Sequence, residues 1–159
     1  MKYGFGVDLG GTTVKIAYFD EQGTMLAKWE IPTVLADGGK QILPDIAASI
    51  RQFIEQKSID PADIIGVGMG VPGPVNSKGV VNKCVNLGWG VFNIAEDLGN
   101  LVGFPVKAGN DANVAALGET LRSPFLASGA VPSPLALHLR RALLCLGCHR
   151  QGCNKRPCT

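Results

Sequence analysis

Apolar and polar positions along this chain fall into a run of short strands followed by alternating helices and strands. Residues 3–9 (Tyr-Gly-Phe-Gly-Val-Asp-Leu) and 13–19 (Thr-Val-Lys-Ile-Ala-Tyr-Phe) are β-rich, and Gly10-Gly11 between them predicts a hairpin. Asp20-Glu21-Gln22-Gly23 predicts a second turn, and Met25 to Ile31 a third strand, so the chain opens as an antiparallel meander. Over residues 39–57 the apolar positions Ile42, Ile46, Ile50, Phe53 and Ile54 share one helical face, with Lys40, Arg51, Glu55 and Lys57 as polar surroundings. Asp60-Pro61 marks a turn, and Ile64 to Val71 reads as a buried strand ending in a Gly/Pro loop. Residues 93–103 predict a helix capped by Asn93, with Glu96 three residues on. A short strand at 105–108 and a helix over 111–121 follow. Local hairpins followed by crossover helices predict an α/β fold, a mixed sheet with helices on it.

The pattern stops near Glu119. Thr120 to Thr159 has Pro-punctuated turns and an apolar patch from Leu135 to Leu146, but no coherent period. Charge changes at the same place. Residues 1–119 hold nine Lys/Arg against thirteen Asp/Glu, a net of −4, whereas 120–159 hold six Lys/Arg and no acid, a net of +6. Both His and four of the five Cys lie in the second segment. Two units are therefore expected: 1–119 as a compact lobe and 120–159 as an irregular, poorly packed tail. No apolar run reaches the ~18 residues of a membrane helix. Met1-Lys2-Tyr3-Gly4-Phe5 leads straight into a strand without a signal-peptide core, so a cytoplasmic, membrane-free protein is expected.

Three segments carry candidate chemistry. In Asp8-Leu9-Gly10-Gly11-Thr12-Thr13-Val14-Lys15 the glycines let backbone N–H groups approach a phosphate, and successive N–H groups round such a turn form an anion nest. Thr12 and Thr13 add hydroxyl donors, and Asp8 is placed to orient a hydrated Mg²⁺. Lys15 has two readings, electrostatic attraction or simple exposure; an ordinary Gly-Gly hairpin would share much of the same spelling. Gly70-Val71-Pro72-Gly73-Pro74 is a stiff loop at a strand end, where ligand sites of α/β folds often lie. Asn86-Leu87-Gly88-Trp89 offers an amide and an aromatic, with Trp89 read as core before sugar platform. Asn110-Asp111 opens a predicted helix, whose dipole favours the ionised carboxylate. Such an Asp can accept a hydroxyl proton during phosphoryl transfer, and Asn110 can both donate to and accept from a polyol. Alone, Asp111 would read equally as a helix cap.

In this order and spacing, with Gly109-Asn110-Asp111-Ala112-Asn113-Val114-Ala115-Ala116-Leu117-Gly118-Glu119 closing the series, the motifs resemble the ROK family of sugar kinases, its bacterial glucokinases most of all. The resemblance covers nearly all of residues 3–119. It implies an actin-like, ribonuclease-H-like ATPase lobe. It implies ATP phosphate contacts from Asp8, Gly10, Gly11, Thr12, Thr13 and Lys15, sugar contacts at Gly73, Asn110 and Asp111, and Asp111 as the base. The implied reaction converts ATP and glucose to ADP and glucose 6-phosphate, with N-acetylmannosamine or fructose as other sugars of the family. Repressors of the family carry a helix-turn-helix before the first strand; with that strand at Tyr3, the kinase branch is expected.

The family's second glycine-rich phosphate segment, its His and Cys-x-Cys-Gly-x-x-Gly-Cys-x-Glu zinc motif, its adenosine pocket and its dimer surface are not recognisable in 120–159. A truncated kinase with impaired activity, a lost family dimer and an out-of-frame or foreign tail is the expectation. Cys145-x2-Cys148-x4-Cys153-x4-Cys158 has the spacing of a zinc knuckle, with Cys153 in place of its His. Arg150, Lys155 and Arg156 would suit phosphate contacts of an RNA-binding knuckle. The alternative to a kinase is thus a non-catalytic remnant with a zinc-bearing tail. Nonetheless neither stoichiometric zinc nor a nucleic-acid partner is expected, because no scaffold that pre-forms the metal site is evident.

Overall fold

The computed structural model describes residues 1–110. The predicted meander is present: β1 (Tyr3–Leu9), β2 (Thr13–Asp20) and β3 (Met25–Pro32) pair antiparallel through short turns. The second turn closes because Asp20 Oδ1 accepts from the amides of Gln22 and Thr24, while Gly23 takes a φ of 81°. A short turn, α1 (Ala36–Gly39), whose Asp37 sits at φ 52°, then leads to α2 (Ile42–Gln56). A 3-10 turn at Pro61–Asp63 is capped by Asp60 and feeds β4 (Ile64–Val71). The two-residue strands β5 (Val80–Val81) and β6 (Phe92–Asn93) form a small separate ribbon. Then come α3 (Ile94–Val102) and β7 (Val106–Asn110).

The main sheet has the order β3-β2-β1-β4-β7, and β1, β4 and β7 run parallel. This is the mixed sheet expected from hairpins followed by crossovers. Phe5, Val7 and Leu9 of β1 lie in one core cluster with Val14, Ile16 and Tyr18 of β2 and Val67, Met69 and Val71 of β4. Ile42, Ile46, Ile50 and Ile54 of α2 and Ile94, Leu98 and Val102 of α3 join the same cluster. Each such side chain, fully buried, contributes on the order of 1.5–3 kcal/mol. Side chains alternate between faces, so Gly4, Gly6 and Asp8 of β1 and Gly66, Gly68 and Gly70 of β4 stand opposite one another on the other face.

The periodic helix begins later than its pattern suggests, at Ile42 instead of residue 39. Gly38 and Gly39 both sit at φ 69°, outside right-handed helical space. Gly39 is also nested against the 87–89 loop, where an added Cβ would lie 2.6 Å from the Leu87 carbonyl oxygen. The second predicted helix starts as expected. Asn93 Oδ1 accepts from the Glu96 amide at 3.2 Å, and Gly103 closes the helix at φ 81°. The last strand runs to Asn110, beyond the expected 105–108. The ribbon β5–β6 is too short to announce itself by alternation. The helix expected over 111–121 and the tail 120–159 lie outside the described residues, as do Asp111 and Cys145, Cys148, Cys153 and Cys158. Among the described residues no helix is long and apolar enough to cross a membrane.

Candidate functional site

Because β1, β4 and β7 are adjacent and parallel, their C-terminal ends lie side by side. β1 ends at Leu9 and enters the Gly10–Thr12 turn. β4 ends at Val71 and enters Pro72-Gly73-Pro74. β7 ends at Asn110, next in sequence to Asp111. The sheet thus brings the Gly10–Thr12 turn, the Pro72-Gly73-Pro74 loop and Asn110 to one edge, the side on which parallel strands commonly present ligand loops.

The glycine turn is held from outside. The Gly10 amide donates to the Thr13 carbonyl at 3.0 Å. Thr33, just past β3, gives its amide to the Thr12 carbonyl at 2.9 Å and its hydroxyl to the Gly10 carbonyl at 2.8 Å. With those carbonyls engaged, the turn points Gly11 and Thr12 outward. Both are exposed, and their amides donate to no protein group among the described residues. A Cβ built on Gly11 meets nothing within 4 Å. An exposed turn with uncommitted N–H groups and open space above it fits a phosphate.

Asp8 is the buried charged residue of the described chain, 8% exposed. It stands opposite Lys15 on β2 and Gly70 on β4, and Lys15 in turn stands opposite Glu30. Lys15 therefore shares a sheet face with Asp8 and is half-buried. Side chains directly opposite in antiparallel strands lie close enough to interact.

On the other side of the edge, Asn110 Nδ2 donates to the Gly73 carbonyl at 2.8 Å. Gly73 itself is buried against Cys84; an added Cβ would lie 3.3 Å from both Cβ and Sγ of Cys84. The Cys84 thiol donates to the Pro72 carbonyl at 3.2 Å. Cys84 is fixed in turn by reciprocal backbone bonds with Trp89, each 3.1 Å, and the Trp89 indole N–H donates to the Gly39 carbonyl at 3.1 Å. Trp89 is buried against Phe92, so it is core and not a sugar platform. Asn86 is exposed on the same loop. Beside Asn110 opens a cavity of about 440 Å³ lined by Pro74, Val75, Asn76, Asn82 and Asn110.

Sequence reasoning missed Thr33, Cys84, Asn76 and Asn82. Thr33 and Cys84 act across 23 and 12 residues of chain, a separation at which local patterns carry no signal. The asparagines had a weak signal in the cluster Asn76, Asn82, Asn86 between two apolar segments, but such a cluster reads first as loop.

The sequence matches the ROK family over residues 4–124. It is 41% identical over 115 residues to a glucokinase of Halalkalibacterium halodurans, covering 72% of this chain and 35% of that protein. It is 30% identical over 121 residues to an N-acetylgalactosamine kinase of a Shewanella species, covering 74% of this chain and 36% of that one. A crystal structure of a ROK family glucokinase from Streptomyces griseus, in complex with glucose and AMPPNP, superposes with a TM-score of 0.61. The identity is 31%, over 74% of this chain and 36% of that one. The chain spans about a third of the length of the relatives it matches.

Proposed function

The chain belongs to the ROK family, and from that premise we propose that it supplies the phosphate turn and the sugar rim of an ATP-dependent kinase acting on glucose. The observation that carries the proposal is the Asn110–Gly73 hydrogen bond at 2.8 Å. It ties the residue before Asp111 to the loop after β4, on the edge where the Gly10–Thr12 turn also opens. In this reading Gly73, Asn110 and Asp111 hold the sugar. The amides of Gly11 and Thr12, with the hydroxyls of Thr12 and Thr13, receive phosphate oxygens of ATP. Lys15 would contribute positive charge, and Asp8 would help hold the cation. Mg²⁺, when bound, would neutralise charge developing on the phosphates.

Asp111 takes the proton from the attacking sugar hydroxyl as its oxygen bonds to the γ-phosphorus and the bond to the ADP oxygen breaks. The products are glucose 6-phosphate and ADP. Phosphoryl transfer depends mostly on positioning and electrostatic stabilisation, so the rate depends on how many walls of the site are present. The motifs above line one side. The 159 residues by themselves are expected to leave ATP poorly held and to turn over little or no glucose.

Glucose is favoured by the two glucokinases compared above. Another sugar of the family, such as N-acetylmannosamine or fructose, is the second reading; the similarity to an N-acetylgalactosamine kinase supports it. The test is a coupled ADP-release assay across these sugars. It compares the chain alone with the chain joined in frame to the remaining two thirds of the H. halodurans relative. Turnover by the joined protein with glucose preferred is expected. Preference for another sugar would move the assignment within the family. A folded, inactive fusion would sink the kinase reading.

A further inference from the structure

The geometry points to Asn82 as a further sugar-contacting residue, lining the 440 Å³ cavity together with Asn110 and reading a pair of neighbouring hydroxyls on an uncharged sugar. The inference rests on the reading of this edge as a sugar site and adds a specificity contact to it.

Asn82 is held by its backbone and left open at its side chain. Its amide donates to the Pro74 carbonyl at 3.1 Å, which ties it to the loop that carries Gly73. Its neighbour Val81 is fully buried in β5 and bridges Val75, and Cys84, two residues on, is buried under Gly73. The backbone on both sides is thus anchored in core while the Asn82 side chain is exposed. Its carboxamide makes no hydrogen bond to any described residue.

The other two carboxamides of the cavity have structural duties. Asn76 Oδ1 accepts from the amides of Lys78 and Val80, at 2.9 and 3.0 Å, and so closes its own turn. Asn110 Nδ2 is engaged with Gly73. Asn82 retains both an acceptor oxygen and two N–H donors, the combination that matches a hydroxyl pair acting as donor and acceptor in turn.

The cavity volume is within the roughly 300–1,000 Å³ of small-molecule sites. Pro74 and Val75 give it an apolar patch for the C–H face of a sugar ring, and its described lining carries no charge. That lining suits a neutral polyol and gives no counter-charge to a sugar acid or a sugar already phosphorylated.

The experiment is a glucose titration of the ¹⁵N-labelled 159-residue chain, following the side-chain amide resonances of Asn76, Asn82 and Asn110, with Asn82→Ala as comparison. Asn82 and Asn110 resonances are expected to move with one common dissociation constant. Asn82→Ala is expected to keep the backbone spectrum and weaken glucose binding about tenfold, the scale of one or two hydrogen bonds lost from a site. Movement of Asn110 alone, with unchanged affinity in Asn82→Ala, would overturn the inference and leave the sugar reading standing. If near-molar glucose moves neither resonance, the sugar reading fails and this inference falls with it.

Discussion

At one end of the five-stranded sheet, where β1 begins, the rings of Tyr3, Phe5, Tyr18, Trp29 and Phe53 lie 4.5–6.4 Å from their neighbours in stacked, tilted and edge-on pairs. The Trp29 indole N–H donates to Ser49 Oγ of α2 at 2.8 Å, which pins the helix there. At the other end, where the parallel strands stop, the chain offers Gly10, Gly11, Pro72, Gly73, Pro74 and Asn110. Packed aromatic area stabilises the lobe at the first end. The second end has exposed N–H groups and carboxamides whose hydrogen bonds hold loops more than they add core. The same strands therefore carry stability at one end and recognition at the other, and substitutions should separate the two.

The largest effect is expected at the recognition end, in the fusion with the rest of a relative. Asp111→Asn should lower kcat by roughly 10²–10⁴-fold, the scale of a lost general base, with sugar affinity changed much less. A fusion that kept near-normal kcat with Asn at 111 would leave Asp111 as a helix cap. The stability end is probed by Ile50→Ala in α2, which empties a fully buried site. It should cost about 2–5 kcal/mol in urea unfolding of the lobe, a large part of the total for a domain of this size. The folded fraction should bind glucose unchanged. Coupled loss of affinity would show that the two ends are not separable.

Gly11→Ala sharpens the contrast from the other side. The position has open space and no left-handed φ, so stability should change by less than about 0.5 kcal/mol. Yet in the fusion the added methyl would stand where a phosphate approaches the backbone, and ATP affinity should fall about tenfold. Unchanged ATP affinity would remove the turn from the nucleotide site.

The smallest effect is confined to high pH. Burial, with lesser contributions from Tyr3 and Asp63, pushes the Tyr18 phenol from its ordinary value near 10 up to about 12. The folded lobe then holds a proton that the unfolded chain gives up. This contribution is fully present below pH 10 and is lost as pH rises from 10 toward 12. Tyr18→Phe should flatten that part of the stability profile in paired denaturation series. Parallel wild-type and variant curves would mean that burial is not what keeps the phenol neutral.

Several elements were legible because their causes are local. The meander follows from β-rich runs separated by Gly10-Gly11 and Asp20–Gly23. Helix α2 follows from isoleucines at helical spacing, and α3 from the Asn93 cap. The three motifs were also legible, since residue types and spacing along the chain are properties of sequence. Tertiary structure decided which strands are neighbours, and so that segments around residues 10, 73 and 110 share one edge. It decided that Gly39 ends a turn instead of starting a helix, because the carbonyl of Leu87 and the indole of Trp89 come from 48 and 50 residues away to close on it. It also placed Thr33 under the glycine turn, Cys84 beneath Gly73, and Asn82 on the same cavity as Asn110. Each of these brings together segments that are separated along the chain. Local preference acts over a few residues, whereas pairing register and core closure, which bring such segments together, belong to the assembled sheet.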